Sequence, residues 1–232
     1  MDLLISGLRE AVSLIVSLDP RVLQIIFTSL QVTGTALVFA ALLGIPLGAF
    51  LGLTSFPGKS VLVALLYTGM GFPPVVIGLF VFITFSSGGP MGFLSWLFTT
   101  RAMIIAQVII AFPLIAGFTM TAVGGVDKDL ILQLKSLGAT KRQIIMAILK
   151  EARLGVLVSI IAGFGAIISE VGAVMLVGGN IEGSTRVLTT AIVLEARRGN
   201  FGLAISFGII LLAITFGVNF AMSNLPGRGR RQ

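Results

Sequence analysis

Arg186 stands in a run of hydroxyl side chains, with Ser184 and Thr185 before it and Thr189 and Thr190 after it. A guanidinium and several hydroxyls are hydrogen-bond donors, the equipment an anion's oxygens require. The same residues would equally meet a lipid phosphate or a soluble partner, so both readings stand on residue type and spacing. Glu170 is the second candidate, the only ionisable residue well inside an apolar segment. A carboxylate in lipid is expensive, so it should face protein or water. It would repel an anion, which favours helix pairing or a place in a gate over contact with a solute. If residues 154–178 form one helix, Glu170 lies about 24 Å along it from Leu154. Beyond these residues the chain is poor in chemistry. It has no histidine and no cysteine, and its nine carboxylates are scattered. The commonest general base, the commonest metal ligand, thiol metal sites and disulfides are thereby excluded. We expect no catalytic residue, metal site or cofactor in this chain. No GxxxxGK[ST] loop is present, so any ATP chemistry must belong to another subunit.

The elements that position these residues are set by an apolar composition. Of 232 residues 56% are hydrophobic and 11% charged, and the mean hydropathy is +1.09. Several runs reach the roughly 20 residues a helix needs to cross a bilayer core, and none shows the short alternation of a barrel. The fold class is an all-α polytopic membrane protein. Five spans are expected, at roughly 24–54, 61–86, 102–124, 154–178 and 201–222. Residues 1–22 read as an N-terminal amphipathic or interfacial helix, with Leu4, Leu8, Val12 and Ile15 at helical spacing; an extra tilted span is the alternative. They lack the basic start of a secretory signal. Trp96 reads as an interface anchor.

The net charge of +7 is explained by membrane topology better than by a nucleic-acid partner. Five spans put the termini on opposite sides. Ten basic residues gather on one side, at Lys59, within 128–153, and at Arg228, Arg230 and Arg231. Six fall on the other side, among them Arg101 and Arg186. The richer side should be cytoplasmic, with the N-terminus outside and the tail 223–232 inside. Glycines recur at Gly44, Gly48 and Gly52, a small-residue face for close helix packing. Pro46, Pro73, Pro74 and Pro113 are expected to bend or break their helices, either as ordinary membrane prolines or as breaks lining a path.

The loop at about 125–153 is too well ordered in pattern to be a tether. Asp127 is a helix N-cap, and Leu130, Ile131, Leu134 and Leu137 give an apolar stripe on a helix through Leu137. Gly138 and Ala139 follow, with Gly138 where a left-handed cap belongs. Thr140 and Gln143 make a capping box for a second helix. Burying each Leu or Ile is worth roughly 1.5–3 kcal/mol, so the stripe either lies on its own membrane domain or enters a partner. The basic residues also suit anionic lipid.

The stretch "LKSLGATKRQIIMAILKEAR" resembles the cytoplasmic coupling loop of the membrane subunits of ATP-binding-cassette importers, with Gly138 as that loop's glycine. Gln133, Leu134 and Lys135 replace the family's acidic-Ala-Ala start, and Lys150 stands where proline is usual. The stretch "ISEVGAVMLVGGNIEGSTRVLTTAIVLEARRGNFGLAI" is similar to the molybdate, sulfate and tungstate branch, and most like its tungstate permeases. There Glu170, Gly172, Gly179, Asn180, Thr185, Arg186, Leu188 and Thr189 match, while Ser169 and Val171 depart from the pattern.

The resemblance implies a type I importer-like transmembrane domain over 23–222. It implies partners: a second copy of the chain, two ATP-binding subunits that hold ATP and Mg, and an extracytoplasmic oxyanion-binding protein, all at the cell's inner membrane. Leu130, Ile131, Leu134, Leu137, Gly138 and Ala139 would couple to the ATPase. Glu170, Gly172, Thr185, Arg186 and Thr189 would belong to the pathway or gate. The tail is too short for a regulatory domain. Molybdate or sulfate is the alternative solute, and a non-transport membrane scaffold or assembly protein the alternative class.

Overall fold

The computed structural model describes residue 13 and residues 19–224. Most of the N-terminal amphipathic helix and of the basic tail expected from the sequence lies outside the described residues; residues 20–22 belong instead to the first long helix and 223–224 to the last. Helix α1 runs Pro20–Leu53. Asp19 opens it by accepting from the backbone N–H groups of Arg21 at 2.8 Å and Val22 at 3.4 Å, and Pro20 takes the first helical position, where no N–H is needed. Lys59 closes the far end, its Nζ donating to the Thr54 carbonyl at 2.8 Å. Then follow α2 (Lys59–Met70), α3 (Pro74–Phe85), α4 (Thr100–Gly124), α5 (Lys128–Ser136), α6 (Lys141–Glu151), α7 (Arg153–Ile168), α8 (Gly172–Gly178), α9 (Leu188–Arg197) and α10 (Phe201–Asn224).

Three of these helices, α1, α4 and α10, are long and apolar enough to cross a membrane alone. Two bent pairs are long and apolar enough only when each is taken together, which gives up to five spans: α2 and α3 meet at 97°, α7 and α8 at 59°. The first bend falls at Gly71–Pro73, where Pro73 caps α3 and Pro74 begins it. Pro46 and Pro113 do not break their helices: α1 and α4 continue through them. A proline removes one hydrogen bond, whereas each of these helices is held on both sides by many others and by packing. Pro113 is itself buried, and its ring lies so close to Gly69 that a methyl there would stand 3.1 Å from the Pro113 Cβ. Nor are residues 154–178 one helix: the chain leaves helical geometry at 169–171. The stretch 188–197, outside the five expected spans, is helical as α9.

The core is built on α4, which touches α1, α2, α3, α7 and α8. The glycine face of α1 makes its closest contact within the chain. A Cβ at Gly44 would lie 3.2 Å from the Ala116 backbone nitrogen, one at Gly52 2.9 Å from the Met120 carbonyl, and one at Gly48 would overlap the Ala116 carbonyl oxygen. This face therefore packs α1 onto α4 and is not available to a second copy. Trp96 also packs inward, stacked on Phe85 at 5.6 Å with the Arg101 guanidinium over its ring.

Gly48→Ala should destabilise the purified protein by about 1–3 kcal/mol, the usual range for overpacking. Gly34→Ala, where a Cβ meets nothing within 4 Å, should leave it unchanged or slightly more stable. Thermal unfolding in detergent measures both; equal melting of the two variants would contradict the packing.

Candidate functional site

Two regions hold the residues singled out from the sequence, one at each end of the bundle. The first is the helix pair α5–α6. Asp127 accepts from the Asp129 N–H at 2.9 Å and starts α5. The helix ends at Ser136 with Leu137 as its cap, one residue short of the expected end. Gly138 follows with φ +77°. Its N–H donates to the Lys135 carbonyl at 3.0 Å, and the Ala139 N–H to the Leu134 carbonyl at 3.0 Å. Those two bonds form a Schellman turn, which needs a left-handed residue at Gly138's position. Thr140 then opens α6: its N–H donates to Gln143 Oε1 at 2.7 Å, and its hydroxyl accepts from the Gln143 N–H at 3.4 Å.

The apolar stripe divides its allegiance. Ile131 packs against the cluster of Ala49, Val123, Ile148 and Ala152. Leu130 lines a cavity of about 540 Å³ together with Asp127, Glu151 and Gly155. Leu134 is half-buried. Leu137 is 83% exposed, and Leu132, which the sequence stripe omitted, is 59% exposed. The helix pair is thus seated on the membrane domain by one edge and shows bare leucines on another. Leu132 was missed because a three-four spacing rule admits one face only, and this helix uses two.

The second region surrounds the break between α7 and α8. Glu170 lies in that break. Its Oε1 accepts from the Ala173 N–H at 2.8 Å and so caps α8. Its own carbonyl accepts from the Thr189 hydroxyl at 2.9 Å. Gly172 begins α8 against Val75, with no room for a larger side chain. Gln107 from α4 reaches the freed Ile167 carbonyl at 3.0 Å. Ser29 from α1 accepts from the Leu188 N–H at 2.8 Å and fixes the start of α9. Gln107 and Ser29 were not singled out from sequence; an isolated amide or hydroxyl in an apolar helix was the only sign they gave.

The threonine donors around Arg186 are spent inside the protein, while Ser184 is exposed. Thr185 donates to the Gly178 carbonyl and accepts from the Ile181 N–H. Thr190 is turned onto the backbone of Val187. The Arg186 side chain is 13% exposed, paired with Glu182 at 3.1 Å and bonded to Asn180 Oδ1 at 3.3 Å. It lines a cavity of about 440 Å³ with Asp19, Arg21, Glu182, Glu195 and Arg198. Three carboxylates and three guanidinium groups line it, and two of the pairs, Arg186–Glu182 and Arg198–Glu195, are in contact. The arrangement braces the turns at 179–187.

The family model described as "Binding-protein-dependent transport system inner membrane component" matches residues 44–231. The tungstate uptake system permease protein TupB of Peptoclostridium acidaminophilum is 42% identical, over 97% of this chain and 99% of that protein. A protein of the same name from Campylobacter jejuni is 33% identical over 97% and 94%. Among solved structures, an inward-facing form of the MetNI methionine ABC transporter aligns with TM-score 0.71 and 19% identity, over 86% of this chain and 91% of that one. At that identity the likeness is one of fold.

Proposed function

The chain belongs to the binding-protein-dependent transport system inner membrane components, the permeases of ATP-binding-cassette importers, and from that premise we propose that it conducts tungstate. The observation that carries the substrate is the 42% identity to a tungstate uptake permease along nearly the whole of both chains. Molybdate is the second reading, because both solutes are tetrahedral dianions that present the same oxygens to the same donors. The permease domain is residues 23–222, with 125–153 as its coupling loop and 223–232 as a basic tail. The chain works as a pair with a second copy, beside two ATP-binding subunits and an extracytoplasmic oxyanion-binding protein. ATP and Mg are bound by the ATPase subunits; this chain is no enzyme.

Coupling is assigned to Leu130, Ile131, Leu134, Leu137, Gly138 and Ala139. The exposure of Leu137 and Leu132 supports this, since apolar side chains on the water side gain by entering a partner. Glu170, Gly172, Thr185, Arg186 and Thr189 shape the gate by holding the break and turns around α8, rather than by binding the solute. Their internal hydrogen bonds support that role. The ten basic residues on one side favour a cytoplasmic C-terminus and an external N-terminus.

Uptake by cells expressing the whole complex should be competed by tungstate at the lowest concentration, then molybdate, then sulfate; equal competition by all three would remove the tungstate assignment. Leu137→Asp leaves the packing of the membrane domain alone, and should cut co-purification of the ATPase subunit at least tenfold while the variant still reaches the membrane. Undiminished co-purification would make this loop a lipid-facing surface. A thiol label at position 88 should react from outside intact cells, and labelling only after permeabilisation would invert the topology.

A further inference from the structure

The break at 169–171 leaves one buried oxygen without a partner. Gln107 is 3% exposed, and its Nε2 is committed to the Ile167 carbonyl. Its Oε1 meets no donor among the described residues. Stripping such an oxygen of water without replacement costs about 1–3 kcal/mol, which is why buried acceptors are nearly always partnered. Gln107 lines a small cavity with Ser29, Thr33, Glu170 and Thr189. The cavity leaves about 10 Å³ for the centre of a water-sized sphere, close to the room one water requires. Its wall is polar, and a buried water needs two to four polar partners.

We propose that a single ordered water occupies this cavity, donating to Gln107 Oε1 and bridging it to the hydroxyl and carboxylate groups on the opposite wall. The chemistry of the wall selects water over larger or charged occupants. A tetrahedral oxyanion is several times too large. A metal ion would want about six oxygens, and here the Ser29 and Thr189 hydroxyls already donate to the Ile25 and Glu170 carbonyls, while Glu170 Oε1 is held by the Ala173 N–H. The water ties α1 and α4 to the broken span and to the start of α9. It completes the set of partners that lets the chain leave helical geometry at 169–171 inside the bundle.

Radiolytic hydroxyl-radical footprinting of the assembled transporter tests this, because a bound water generates radicals beside residues that bulk solvent does not reach. Ile168 and Leu188 line the cavity and are buried, at 5% and 1% exposure. They should be oxidised several-fold faster than Leu51 and Ile115, buried at 1% and 0% exposure and outside the cavity. Gln107→Met, close in shape and lacking both amide groups, should bring the two rates down to that of the controls. Native rates no faster than those of Leu51 and Ile115 would overturn the proposal, as would elevated rates that persist in Gln107→Met. If that variant does not fold, the native comparison alone decides the question.

Discussion

Inside a bilayer no bulk water stands ready to take over a broken backbone hydrogen bond, so every departure from helix must be repaired by protein groups or by ordered water they hold. The fold is largely an answer to that constraint. Its two bent spans leave helical geometry at 71–73 and 169–171, and at the second the repairs come from three different elements. Gln107 takes the Ile167 carbonyl, Thr189 takes the Glu170 carbonyl, and the Glu170 carboxylate takes the Ala173 N–H. The buried polar side chains of this protein are concentrated where the backbone needs them.

The same economy explains the packing. Without a hydrophobic drive between helices in lipid, close van der Waals contact must hold them. Gly44, Gly48 and Gly52 let α1 approach α4 backbone to backbone, and Gly78 lets α3 approach α8 so closely that a Cβ there would lie 2.6 Å from the Ala173 Cα. Helix α4 is the common support. It carries the glycine contacts on one side and Gln107, aimed at the broken span, on another.

What the sequence made legible was local. Asp127, the Thr140–Gln143 box and the left-handed Gly138 are decided by residues within a turn of one another, and each is present as read. The five apolar runs were legible because length and composition suffice. What was not legible depends on neighbours distant in the chain. Pro46, Pro113 and Pro73 are alike as residue types, but helix context carries the first two through, while Pro73 comes two residues after Gly71 and is followed at once by Pro74. Glu170 looked like a charge inside a helix because its run of apolar neighbours hides a break. The hydroxyls near Arg186 looked free because carbonyls at Gly178 and Val187 could not be seen to need them. Helix α9 was passed over because its short amphipathic stretch is sheltered by α1 and α10.

The cavity beside Arg186 has a consequence in terms of ionic atmosphere. Its three carboxylates and three guanidinium groups cancel at close range, so little field extends past a Debye length of about 8 Å at physiological salt. Added salt has correspondingly little to screen there.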